Sequence, residues 1–338
     1  MNGSENNEIN AESAGSCLAR RGWFVSFLYH VGLDLLCLAF FALLFGLLLT
    51  VFHGTITFMQ SSILLPLFVM LVIIVAAFAS RIPSVFSRDG IERRAFVRSS
   101  LRTIRDWLPL VLIVFLYENF HDLTDLIRPT IVDSTLREAD RFFLRIEPAF
   151  YLERFTMPWL TEFMTFAYAL YFFYPTLILT LLYRKGEFLK FREFGLALSL
   201  CFYLGLMGYM LVPAIGPRYA MAGEFTVPLT GVWLTQFAAD AWNTLQSFKR
   251  DCFPSLHTAL STVALIYLWR LRRQWRAGRV IFAVCLPMIV SLWLSTLYLR
   301  YHYGVDVIAG WLLAVFCCWA APSMIRWYYR NKRFATLG

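Results

Sequence analysis

Two histidines and one aspartate carry the first chemical signal in this chain. His302 and Asp306 are four residues apart, so on a helix their side chains share one face. The carboxylate can then take the proton of one imidazole nitrogen, fixing the tautomer and leaving the other nitrogen as nucleophile or base. That is the orienting logic of a catalytic triad without its serine. His257 follows Pro254-Ser255, where a helix begins after a proline and an N-cap serine. Backbone N–H groups and the positive end of the helix dipole then face an anion, and Ser255 is read as part of a phosphate site. Arg218, after the Gly216-Pro217 turn, offers a planar fork suited to bidentate contact with phosphate oxygens. Lys249, Arg250 and Arg300 add positive charge close by. Two imidazoles, a carboxylate, several cations and a helix N-terminus supply what phosphoryl transfer by positioning and charge stabilisation requires. This chemistry calls for no metal and no cofactor.

Each of these residues also has a structural reading. A histidine in a membrane protein can simply hydrogen-bond a backbone group, and Asp306 can complement a helix dipole. Arg218 can snorkel to headgroups, while Lys249 and Arg250 can face solvent or lipid phosphate. Asp125 and Asp133 carry no assignable signal. The ordered set, with the polar clusters Ile215–Tyr219, Lys249–His257 and Tyr298–Asp306 all falling on one side of the predicted topology, favours the chemical reading.

The elements that must hold these groups are membrane helices. Of 338 residues, 59% are hydrophobic and 16% charged, which places the chain outside the range of soluble globular domains. A bilayer span needs about 20 apolar residues. Eight such runs are expected, at approximately 31–52, 61–80, 106–122, 158–183, 194–213, 257–271, 280–299 and 304–321. The net charge of +9 comes from basic residues clustered between these runs, which excludes a nucleic-acid groove in favour of membrane topology. The clusters are Arg81 to Arg105, Arg184 to Arg192, Arg270 to Arg279 and Arg326 to Arg333. With eight spans all four lie on one face, the cytoplasmic one, together with both termini. The segment 121–157 mixes charges with Phe142, Phe143, Phe150 and Tyr151, as an amphipathic helix along the interface would. The fold expected is therefore an all-α polytopic membrane bundle.

Residues 1–29 read as a cytoplasmic polar tail without the apolar core of a cleaved signal, 30–129 as N-terminal spans, 130–321 as the catalytic core and 322–338 as a basic tail. The seven cysteines show no metal-ligand spacing, and Cys252, alone in a polar loop, has no disulfide partner there.

Pro254-Ser255-Leu256-His257 and His302-Tyr303-Gly304-Val305-Asp306 together resemble the second and third signature motifs of the type 2 phosphatidic acid phosphatase (PAP2) superfamily. Among its branches, the one that includes the aureobasidin-sensitive inositol phosphorylceramide synthases is most similar. Arg218 stands where that family's first motif has its arginine, about 40 residues ahead of His257. Leu256 replaces the usual glycine, Ser295-Thr296 the usual Ser-Arg, and Leu211 the expected lysine. The resemblance implies that His302 attacks phosphorus to form a phosphohistidine, Asp306 orients it, and His257 protonates the leaving alkoxide. The implied substrate is a membrane lipid whose phosphoryl-containing headgroup passes to an alcohol or to water. An isoprenoid diphosphate phosphatase, or a non-catalytic lipid transporter or scaffold retaining the fold, are the competing readings. A bacterial inner membrane with the site facing the periplasm is the expected location.

Overall fold

The computed structural model describes residues 31–53, 90–119, 121–245 and 250–335. The expected span at 61–80, the tail at 1–29 and Lys249 lie outside the described residues. Every regular element among the described residues is helical. In chain order these are α1 (Leu33–Val51), α2 (Gly90–Asn119), α3 (His121–Ile127), α4 (Asp133–Phe143), α5 (Pro148–Glu153), α6 (Pro158–Ala169) and α7 (Phe173–Arg184). There follow α8 (Phe188–Leu211), α9 (Pro217–Ala220), α10 (Leu234–Leu245), α11 (Leu256–Leu271), α12 (Gly278–Tyr298) and α13 (Gly304–Ala335).

Among the described residues, five stretches are long and apolar enough to cross a bilayer: α1, the α6–α7 unit, α8, α12, and Gly304–Arg330 of α13. Their outward faces carry Leu43, Leu47, Val280, Val284, Leu312 and Trp319, all exposed. Such a surface is stable only against lipid, and the chain is an integral membrane protein. α11, with 16 residues, is shorter but enclosed by α8, α12 and α13. Its companions bury Phe194 and Tyr203 of α8, Ile289 and Leu292 of α12, and Ala314 and Cys317 of α13 in the same core.

Three expected boundaries move. The basic stretch at 81–105 is not a loop throughout, because α2 begins at Gly90 and passes through Pro109. It is tied by Arg105, whose guanidinium grips both oxygens of Asp34 on α1 at 2.7 and 2.8 Å, and by Asp106, which accepts from Arg192 of α8 at 2.8 Å. The stretch read as a basic tail at 322–338 is helical to Ala335, continuing past Pro322, as membrane helices can when neighbours meet the freed backbone groups. The 121–157 segment is three short helices, α3, α4 and α5, rather than one amphipathic helix. Pro129 lies in the first break and Pro148 opens α5, positions at which a proline ends or begins a helix.

The bundle separates charge from chemistry. Lys190 bonds Gln274 at 2.7 Å, Arg192 bonds Tyr329 at 3.2 Å and Arg270 pairs with Glu193 at 3.7 Å. The start of α8, the end of α11 and the late part of α13 therefore share one end. At the other end, the Arg218 N–H donates to the Arg300 carbonyl, the Cys252 N–H to Ala214 and the Ser255 N–H to Asp306. The three polar segments singled out in the sequence meet there.

Candidate active site

Asp306 stands in the first turn of α13, at the point where α13 and α11 approach most closely. One turn later, a Cβ added at Gly310 would lie 2.6 Å from the Ser255 carbonyl and 3.0 Å from Thr258, so only glycine allows this approach. Asp306 is fully buried. Its Oδ2 accepts the Tyr303 N–H at 2.7 Å and the Cys252 thiol at 2.9 Å, while Oδ1 has no hydrogen-bond partner. The bond to Tyr303, the residue just ahead of the helix, closes the first turn as a capping box does. Asp306 is thus a helix-start residue as well as a site residue.

His302 lies in the connection before α13, its own N–H and that of Tyr301 both donating to the Thr296 carbonyl at 3.1 and 3.0 Å. Its Nδ1 is 2.9 Å from the Cys252 carbonyl and 3.5 Å from Asp306 Oδ2. Here the expectation needs correcting: the main-chain carbonyl of Cys252 is the nearer acceptor of the imidazole proton, and the carboxylate is the second, longer partner. The helix starts only at Gly304, so the four-residue spacing does not place the two side chains on one regular helical face. The outcome for the tautomer is the same. A proton held on Nδ1 leaves Nε2 as the nitrogen able to attack.

His257 occupies the first turn of α11, its ring centre 5.7 Å from that of His302. It stacks on Tyr168 at 4.4 Å and meets Tyr171 at 4.3 Å. Tyr168 lies at the end of α6, just before a 3₁₀ turn, Leu170–Phe172, that leads into α7, and Tyr171 is the middle residue of that turn. Pro175, four residues after Tyr171, cannot donate to its carbonyl and would clash with it in a regular α-helix, which accounts for the tightened turn. Tyr168 also stacks on Tyr301 at 5.0 Å, forming an aromatic wall along the two imidazoles.

The cations divide. Arg218 keeps its guanidinium over the Tyr301 ring at 4.9 Å, and among the described residues it has no ion-pair partner. It lines a cleft of about 380 Å³ with Thr165, Tyr168, Leu229, Thr235 and Tyr301. Arg300, by contrast, is buried, donates to the Val227 carbonyl at 2.7 Å, lies 3.5 Å from Glu153 and covers Phe225 at 3.9 Å. Arg250 pairs with Asp125 at 2.8 Å and reaches the Pro129 carbonyl at 2.9 Å. Both are engaged in pinning loops. Ser255 caps α11, its Oγ accepting the Thr258 N–H at 3.3 Å. The cap is as expected, but that oxygen is engaged by the helix.

Several residues here were not singled out in the sequence. Asp140 bonds the Gly304 and Val305 N–H groups, one with each oxygen at 2.8 Å, and so caps α13. Burial pushes its carboxyl up to about 6, against the pull of those two donors. Asp133 accepts from the Ile215 and Gly216 N–H groups at 3.0 and 2.9 Å and from the Tyr303 hydroxyl at 3.0 Å. Gly216 has φ 83°, a conformation that only glycine adopts freely. Asp133, Leu136 and Asp140 are buried together on one face of α4. A spacing of seven residues was the signal available for the two aspartates. Cys252, His302 and Asp306 also bring their donor atoms within 4.8 Å of one another, the only such trio among the described residues that could hold a metal ion. Their separation along the chain hides it from any spacing rule.

Residues 136–320 match the family model described as PAP2 superfamily. A curated relative, the phosphoinositol dihydroceramide synthase of Bacteroides thetaiotaomicron, is 26% identical over 147 residues, covering 40% of this chain and 47% of the relative. The chain thus spans about half the length of the curated relative it matches. No solved structure matches.

Proposed function

Because this chain belongs to the PAP2 superfamily, we propose that it is a lipid phosphotransferase or phosphatase working through a histidine-bound phosphoryl group. The supporting observation is the engagement of His302 Nδ1 by the Cys252 carbonyl and Asp306, with His257 facing it 5.7 Å away, centre to centre. In the first half-reaction Nε2 of His302 forms a bond to phosphorus, the bond from phosphorus to the leaving oxygen breaks, and protonated His257 gives that oxygen its proton. In the second half-reaction an acceptor hydroxyl bonds to phosphorus and passes its proton to His257, and the N–P bond breaks. Arg218 balances charge on the phosphoryl oxygens. The stacked Tyr168 ring and the Tyr171 ring fix the orientation of the His257 imidazole.

The donor class is a phosphodiester lipid carrying an inositol-phosphate headgroup and the acceptor a lipid alcohol, a reading supported by the name of the Bacteroides relative and by the motif resemblance. The site faces the periplasm and the arginine-rich end faces the cytoplasm, in keeping with the positive-inside rule.

Purified protein in mixed micelles, given a labelled phosphoinositol lipid and a ceramide, should transfer label to the ceramide. His302→Ala should abolish transfer, a loss of 10³-fold or more being on the order expected for a covalent nucleophile. His257→Ala with a poor leaving group should accumulate acid-labile label on the protein. Transfer that survives His302→Ala overturns the mechanism. A parallel panel of isoprenoid diphosphates and lipid phosphates separates transfer to an alcohol from hydrolysis.

A further inference from the structure

Cys252 touches both partners of the reaction centre by two different groups. Its carbonyl is 2.9 Å from His302 Nδ1, and its Sγ is 2.9 Å from Asp306 Oδ2. The residue is 3% exposed, with its N–H on the Ala214 carbonyl and its Sγ 3.4 Å from the Tyr301 carbonyl. Building on the reading above, we propose that Cys252 is a positioning residue of the transfer reaction: its carbonyl fixes the imidazole, and its thiol holds the Asp306 carboxylate off it.

The physical argument concerns the carboxylate. Among the described residues Oδ1 of Asp306 has no partner, and Oδ2 takes the Tyr303 N–H at 2.7 Å and the Cys252 S–H at 2.9 Å, both nearer than His302 Nδ1 at 3.5 Å. A buried carboxylate short of donors takes the next proton within reach. Here that proton is on His302 Nδ1, 3.5 Å away. With the thiol in place the carboxylate is satisfied at Oδ2, and the imidazole proton stays on the carbonyl. Burial, and then the negative charge of Asp306 beside it, push the Cys252 thiol well up, so that it remains a donor at any working pH. Remove it, and the carboxylate closes on the ring, stabilises the doubly protonated imidazole and withdraws the attacking lone pair. The other titratable groups facing this centre are Asp251 beside Cys252 itself, His257 from α11, Asp133, Arg137 and Asp140 from α4, and Glu147 ahead of α5. Substitution at position 252 leaves all of them in place.

The test is the pH dependence of phosphoinositol transfer by the full-length protein in mixed micelles. Cys252→Ala and the near-isosteric Cys252→Val both remove the donor, and Cys252→Ser restores one. The Ala and Val variants should lose about tenfold in kcat below neutrality, with the acid limb of the rate profile moved up by about one pH unit, while Cys252→Ser returns the limb to within a few tenths of the wild-type position. With Asp306→Asn as background, Cys252→Ala should shift nothing further. Superimposed wild-type and Val profiles, or a Ser variant that shifts as far as Ala, would reduce the thiol to a space-filler. Wild-type protein without transfer, or His302→Ala retaining it, removes the parent reading and this one together.

Discussion

At the scale of single residues, identical charges have unlike roles. Arg250 and Arg300 are engaged by loops, whereas Arg218 lies above an aromatic ring and has no ion-pair partner among the described residues. The guanidinium of Arg218 presents a flat, two-pronged donor that an ammonium cannot imitate. Arg218→Lys should raise KM for the phosphoinositol lipid about tenfold or more, since a charge-assisted hydrogen bond contributes about 1.5–3 kcal/mol. Arg250→Ala should leave that KM within about twofold and lower the melting temperature instead, because its pair with Asp125 is partly exposed and structural. Steady-state kinetics and thermal unfolding of the two variants in one detergent decide the matter. The motif position singles out Arg218 in the sequence, but nothing there shows what engages the other two. Their partners, Asp125, Pro129, Val227 and Glu153, are between about 70 and 150 residues away and are found only once the chain is folded.

At the scale of elements, the departures from the family pattern have visible compensation. Leu256 stands where the motif has glycine, and the helix facing it makes room. A Cβ on Gly205 of α8 would lie 2.5 Å from Leu256 Cδ2 and 2.8 Å from its Cγ. The pair is therefore a reciprocal fit, bulk on α11 against none on α8. Gly205→Ala should cost about 1–3 kcal/mol through overpacking, offset in part by the roughly 1 kcal/mol gain in helix propensity. Adding Leu256→Ala should relieve the clash, so the double variant unfolds at a higher temperature than the two losses summed would give. Strict additivity would mean that the two helices do not press on one another here. The existence and sequence order of the described spans were legible, because apolar runs of bilayer length have few alternative readings. The ends were not, since α2 and α13 continue through arginines and prolines that resemble stop signals until Asp34, Asp106 and Tyr329 are seen to hold them.

At the scale of the whole molecule, the site and the basic connections at the start of α8 and the end of α11 occupy opposite ends, and the clustering of both was readable from the chain. What sequence could not supply is the clamp between the short helices and the bundle. Asp133 and Asp140 belong to a segment read as an interfacial collar, yet each reaches more than 80 residues along the chain to bond the backbone of the site. This clamp gives the fold a pH dependence. The carboxyl of Asp140, raised to about 6 by burial, lies above its ordinary value of about 3.9. The folded state therefore holds that proton more tightly than the unfolded one. The stabilisation is complete below about pH 4 and is lost as pH rises through about 6. Thermal unfolding in detergent at pH 5 and pH 7.5 should show a larger difference for wild type than for Asp140→Asn, which does not titrate. Equal pH dependence of the two proteins would exclude Asp140 as the titrating group.

The same α4 turns Phe142 and Phe143 outward, 66% and 70% exposed, directly beyond the aspartate that grips Gly304 and Val305. Asp140 and the two rings share one helical turn, so the outward face of α4 and the amides next to Asp306 are joined by a single short stretch of backbone.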